Sequence, residues 1–138
     1  MNDTEKRRDA VENKPFILIC DDSRAIRESL VVILNHAGYH AEAVDSALDC
    51  VAIARRRHPD MIIMDIMMPG MDGATATGLM KDVPEIEGIP VVLLSAMPEE
   101  QVQIRAEDAG AAGYLLKPYR KSILLQCVER CVSGKLAA

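Results

Sequence analysis

Residues 61–73 read Met-Ile-Ile-Met-Asp-Ile-Met-Met-Pro-Gly-Met-Asp-Gly. Met61 to Met64 is an unbroken apolar run with Pro and Gly soon after it, the pattern of a strand buried on both faces, as in a parallel sheet. Asp65 closes the run just before the turn. An Asp there can simply open the turn, since Asp, Pro and Gly all favour turns. The residues that close the other apolar runs decide whether Asp65 does more.

Working outward, Phe16 to Cys20 is a first apolar run. Ser23 is placed to cap a helix whose Ile26, Leu30, Ile33, Leu34 and Ala37 recur at helical spacing, with Gly38 ending it. A short strand over His40 to Val44 leads to Ser46, which with Asp49 forms a capping-box pattern. The helix it opens is expected to bury Ala47, Leu48, Val51 and Ala52. Arg55, Arg56 and Arg57 sit at its end, where cations suit the helix dipole, and are read as a solvated terminus. After the third strand, Ala74 to Lys81 is a weak helix interrupted by Gly78.

Pro90 precedes a fourth run, Val91 to Leu94. Pro98 suits the first turn of a helix reaching Ala109, with a thin apolar stripe of Val102, Ala106 and Ala109. Gly113 to Leu116 is the fifth strand. The last helix is expected to bury Leu124, Cys127, Val128, Cys131 and Val132 and to stop at Gly134. Five strand–helix repeats with short links predict an α/β fold, a doubly wound five-stranded parallel sheet with helices on both faces.

The chain has 138 residues, 49% of them hydrophobic and 27% charged, and a net charge of −5. This describes one globular domain with no overall basic field for nucleic acid. No run approaches the ~18 apolar residues of a membrane span, and the charged N-terminus lacks the apolar centre of a signal peptide, so a cytoplasmic location is expected. Residues 1–14 read as a solvated charged tail, 15–134 as the domain and 135–138 as a short C-terminal tail. Cys20, Cys50, Cys127 and Cys131 have neither zinc-site nor disulfide-framework spacing, and Cys127 and Cys131, on one helix face with Leu124 and Val128, are read as core packing. His36, His40 and His58 are scattered and read as surface residues, with no transition-metal site.

The first apolar run is followed by Asp21 and Asp22, the third by Asp65, the fourth by Ser95 and the fifth by Lys117. Parallel strands point the same way, so these residues gather at the carboxyl edge of the sheet, where open α/β sheets bind ligands. Three carboxylates confined together repel, and a hard divalent cation held through oxygens relieves that. Magnesium suits one or two carboxylates joined to phosphate oxygens. A hydroxyl and an ammonium on the other flank are donors for a phosphoryl group, and an Asp can itself be the nucleophile.

In these residues the chain resembles the receiver domain of two-component response regulators, from about Phe16 to Val132. The resemblance implies a flavodoxin-like (βα)5 fold with strand order 2-1-3-4-5. It implies a signalling protein that assists its own phosphorylation and dephosphorylation and has no separate turnover substrate. Asp65 would accept phosphoryl from a phosphohistidine of a histidine kinase or a histidine phosphotransfer protein. Asp21, Asp22, Asp65 and the backbone carbonyl of Met67 would hold magnesium, for which manganese can stand in. Ser95 and Lys117 would contact the phosphoryl oxygens, Tyr114 would be the switch aromatic, and Lys117-Pro118 is commonly a cis peptide in the family. Met67 and Met97, two beyond the acceptor and two beyond the hydroxyl, occupy the positions that tune dephosphorylation.

Two other readings use the same residues. A haloacid-dehalogenase-like phosphohydrolase also combines an Asp nucleophile, a hydroxyl, a Lys and an acidic pair, but it needs Asp-x-Asp, and Asp65 is followed by Ile66 and Met67. A receiver-like docking module indifferent to phosphorylation is the other, against which stands the cost of holding the charges together. Ser133 to Ala138 is too short for an output domain, so a partner protein is expected to carry the signal. The expected surface is the face made by the Pro98 helix, the fifth strand and the last helix. Met67, Met68 and Met71 read equally as core filler or as an adaptable rim for a partner.

Overall fold

The computed structural model describes residues 14–136. Five strands, β1 (Phe16–Cys20), β2 (His40–Val44), β3 (Met61–Asp65), β4 (Val91–Ser95) and β5 (Gly113–Leu116), alternate with α1 (Arg24–His36), α2 (Ala47–Arg57), α3 (Gly73–Lys81), α4 (Glu99–Ala109) and α5 (Lys121–Leu136). All four strand pairings are parallel, in the order β2-β1-β3-β4-β5. The expected tail lies outside the described residues except for Lys14, as do the last two residues of the chain.

Alternation along the buried strands divides the core in two. Ile17, Ile19, Met61, Ile63, Val92 and Leu94 face α1 and α5, meeting Leu30, Leu34, Leu124, Val128 and Val132. Leu18, Cys20, Ile62, Met64, Val91 and Leu93 face the other way, toward α2, α3 and α4. Each fully buried Leu or Ile contributes about 1.5–3 kcal/mol, so both faces of β1, β3 and β4 must stay covered.

The helices begin where side-chain caps are available. Ser23 accepts from the Ile26 amide, Ser46 from the Asp49 amide at 3.2 Å, and Asp72 from the Thr75 amide at 2.8 Å. Gly38, at φ +98°, follows α1 in a conformation that favours glycine.

Four details differ from the sequence reading. In α2 the buried positions are Ala47, Cys50 and Ala54, while Leu48 is 68% exposed and Ala52 is exposed too. Two overlapping stripes existed in the sequence, and packing on the sheet chose the one with the smaller side chains. Pro98 is the residue before α4 instead of its first residue, so it offers the helix no side-chain cap. α5 passes through Gly134 to Leu136, since a glycine is tolerated inside a helix whose other face is packed. Cys127 and Cys131 lie at the margin of the core, half-buried, and only Leu124, Val128 and Val132 are fully covered.

The edge strand β2 carries a polar knot. Arg57 makes a two-point ion pair with Glu42 at 2.6 and 2.8 Å, and its guanidinium lies 4.6 Å over the Phe16 ring. His40, half-buried and tilted against Phe16, bonds the same carboxylate at 2.6 Å. The arginine first, then His40, hold Glu42 down at about 2 despite its burial. Arg57 and His40 are therefore structural, where the sequence suggested solvated side chains.

Candidate functional site

The register brings the strand ends together. Asp65 is the last residue of β3, opposite Leu94, and Ser95 closes β4 opposite Leu116, one residue before Lys117. Asp21 follows β1 and extends its pairing by donating its amide to the Val44 carbonyl at 3.2 Å. The Lys117 amide donates to the Ser95 carbonyl at 2.8 Å, and the Lys117-Pro118 peptide is cis.

Asp21 is fully buried. One of its oxygens accepts from the Ser23 amide at 2.8 Å and the other from Lys117 Nζ at 3.1 Å. The same ammonium stands 3.5 Å from Asp65 Oδ1. Asp22 is exposed at the mouth. Carboxylate oxygens of Asp21, Asp22 and Asp65 all lie within 4.8 Å of one another. Asp65 is 4% exposed, and burial first, then the Asp21 charge, push its carboxyl up to about 6, against the pull of Lys117 and the Met67 amide.

This donor set fits a divalent cation such as magnesium. It is all oxygen, it carries more negative charge than one lysine neutralises, and one member opens to water. Bound there, the ion would supply positive charge to the carboxylates and to an incoming phosphate. Ser95 is buried and its Oγ accepts from the Met97 amide at 3.0 Å. Tyr114 lies near the start of β5, and its hydroxyl donates to Glu99 Oε1 of α4 at 3.0 Å, so the ring is held outward.

The methionines after Asp65 divide: Met67 is 62% exposed at the site rim, Met68 is buried against Cys20, and Met71 is half-buried. Several supporting residues were not legible in sequence. Arg27 of α1 donates to the Asp21 backbone carbonyl at 2.8 Å, and Arg105 of α4 pairs with the α3 cap Asp72 at 2.8 Å. Gly73 packs directly on the backbone of Asp65. Arginines at helix positions carry no local mark of such roles, whereas Gly opening a helix straight after its cap was a signal available to read.

Comparison with known proteins points the same way as the site. Residues 17–129 match the model of the response regulator receiver domain. The chain belongs to that family. Receiver domains are phosphorylation-dependent switches of two-component signalling, and they work with histidine kinases or phosphotransfer proteins and with downstream targets. They bind magnesium at an acidic pocket.

The chain is 33% identical to protein PilH of Pseudomonas aeruginosa over 118 residues, 86% of this chain and 98% of that one. Other curated relatives are longer, and the chain spans 25% of one and 56% of another. Among solved structures, the signal receiver domain of a signal transduction histidine kinase from Syntrophus aciditrophicus is 34% identical. It superposes with a TM-score of 0.81 over 87% of this chain and 91% of that one. The receiver domain of a sensor histidine kinase from P. aeruginosa, with a magnesium ion coordinated in its active site cleft, is 25% identical. Its TM-score is also 0.81, over 87% of this chain and 98% of that one. No helix among the described residues is long and apolar enough to cross a membrane.

Proposed function

We propose that Asp65 is the phosphoacceptor and that Asp21, Asp22, Asp65 and the Met67 carbonyl hold magnesium beside it. The observation that carries this reading is the buried Asp65 carboxylate, clustered with two acids and 3.5 Å from the Lys117 ammonium. A carboxylate oxygen of Asp65 attacks phosphorus in the phosphohistidine of a kinase or phosphotransfer protein. The P–O bond forms as the P–N bond breaks. Lys117 and Ser95 bind the transferred oxygens, and Asp21 fixes the lysine. Magnesium bound to the acids would offset the charge that otherwise repels the phosphate. The chain turns over no separate substrate on this reading, and its net charge of −5 argues against a direct role on nucleic acid.

Labelling by a small phosphodonor such as acetyl phosphate, read on a phosphate-affinity gel, tests the assignment. Label should appear with magnesium, vanish with chelator, weaken at least tenfold in Asp22→Ala and be absent in Asp65→Asn. Undiminished label in Asp65→Asn overturns it.

The signal passes by rearrangement at the same edge. A phosphoryl group on Asp65 draws the Ser95 hydroxyl away from the Met97 amide, since a charged acceptor is the stronger partner. That movement makes room for Tyr114 to leave Glu99 and turn inward, altering the face of α4, β5 and α5, where the downstream protein docks. α4 is suited to move, because it buries only Val102 and Ala106. A tenfold change in partner affinity needs about 1.4 kcal/mol of coupling.

The phosphorylated state is expected to last. Hydrolysis needs a water held in line, and Met67 and Met97 offer side chains that cannot orient one by hydrogen bonding. Purified phosphoprotein should keep its label well beyond seconds, and Met67→Asn should hasten the loss several-fold. Decay within seconds in the wild type contradicts this.

A further inference from the structure

The sheet edge accounts for the acids, the serine and the lysine, but not for two thiols on α5. Cys127 and Cys131 are one helical turn apart on the same face, both half-buried. With Tyr114, Leu115, Ile123 and Arg130 they line a cavity of about 300 Å³ between β5 and α5. The cavity is large enough for a small reagent to reach both sulfurs. The other two cysteines make an internal contrast, since Cys20 and Cys50 are sealed in the core at 1% and 0% exposure.

A guanidinium stands beside both α5 thiols. The Cys127 thiol first, then the Arg130 guanidinium, favour a thiolate at Cys131 against burial, and Arg130 acts on Cys127 in the same direction. The two thiols in contact hold one proton between them more readily than they lose both. In the core, Cys50 first and then burial push Cys20 well up, with no guanidinium to oppose them. A lowered pKa, access and an adjacent second thiol are the attributes of an oxidisable cysteine with a resolving partner.

We propose that Cys127 and Cys131 form a peroxide-sensitive thiol pair, and that its oxidation to a disulfide remodels the face of β5 and α5. The thiolate of one attacks a peroxide oxygen, forming S–O and breaking O–O. The second oxygen leaves as hydroxide or alkoxide and takes a proton from water. The sulfur of the other then attacks the sulfenic sulfur, forming S–S and breaking S–O, and its thiol proton leaves with that oxygen as water. One peroxide thus removes two electrons from the pair.

The product does not fit an intact helix. Residues four apart hold their Cβ atoms about 5–6 Å from each other, whereas a disulfide needs roughly 3.5–4.5 Å. The turn from Cys127 to Cys131 must therefore tighten or unwind, and Tyr114 lines the cavity beside it. The consequence for partner binding rests on the docking face proposed above; the oxidation itself does not.

The test uses the full chain without phosphodonor, so it is independent of the Asp65 assignment. Reduced protein is treated with hydrogen peroxide and its peptides are read by mass spectrometry. The expected result is a Cys127–Cys131 disulfide, at least about tenfold ahead of any change at Cys20 or Cys50. With its partner replaced, in Cys127→Ser or Cys131→Ser, the remaining α5 thiol should accumulate a sulfenic acid that dimedone traps, and no intramolecular disulfide should form. The Tyr114 ring resonances should shift on oxidation and return with dithiothreitol. Oxidation of all four cysteines at like rates, or sulfenic acids on both α5 thiols with no disulfide between them, overturns the pair. An unchanged Tyr114 spectrum in the oxidised protein overturns the remodelling.

Discussion

Gly73→Ala is expected to unfold the chain, or to cost at least about 4 kcal/mol, the range reserved for severe steric or packing faults. A Cβ at Gly73 would stand 2.0 Å from the Asp65 carbonyl oxygen, 2.9 Å from the Asp65 carbonyl carbon and 2.6 Å from Met64 Cγ. The methionine end can yield, but the backbone cannot. Gly73 donates its amide to the Ile66 carbonyl at 2.9 Å, and Ile66 donates to Leu94 at 3.0 Å, so retreat of α3 breaks the bonds that align β3 with β4. Gly78 is the control. It lies in the same helix with nothing within 4 Å of an added Cβ, and Gly78→Ala should stabilise by about 0.5–1 kcal/mol through helix propensity. Urea unfolding followed by circular dichroism measures both. A Gly73→Ala protein as stable as the wild type would mean that α3 is not held against the Asp65 backbone.

The two glycines show where reading the sequence stopped. Gly73 looked like turn punctuation, because the need for a hydrogen in place of a methyl comes from a strand end eight residues earlier in the chain. Strand positions were legible for the opposite reason. A strand buried on both faces must be apolar throughout, so Met61–Met64 and Val91–Leu94 could hardly be anything else, and the residues closing them fell into one site. Helix faces were harder. Ala47, Leu48, Val51 and Ala52 formed a plausible stripe, yet the sheet took Ala47, Cys50 and Ala54, leaving Leu48 in water. One-dimensional periodicity does not say how closely a helix approaches its sheet. Arg57, Arg27 and Arg105 act on partners 6 to 33 residues away, and no local pattern marks such pairings.

Asp65→Asn is expected to gain stability in metal-free buffer at neutral pH while losing all phosphoryl acceptance. The carboxyl of Asp65 is pushed up to about 6 from an ordinary 3.8, so its ionised form is disfavoured in the folded chain. For a group raised in this way the folded state binds the proton more tightly. Its stabilising contribution is therefore complete below about pH 4 and is lost as pH rises through about 6. A shift of about two pKa units corresponds to at most roughly 3 kcal/mol, and the Lys117 contact already returns part of what burial takes. Asn carries no charge to bury beside Asp21. We expect Asp65→Asn to exceed the wild type by about 2 kcal/mol at pH 7, or about 6 °C in Tm, with the two converging toward pH 4. Magnesium should reverse the order, because the wild type then binds a cation that the variant holds less well, and ligand bound only to the folded state adds stability. Thermal unfolding at pH 4.5 and pH 7, with chelator and with magnesium, measures all four corners. Equal stabilities at pH 7 in chelator would show that Lys117 fully compensates Asp65. The acid cluster would then hold no strain for a metal or a phosphoryl group to relieve.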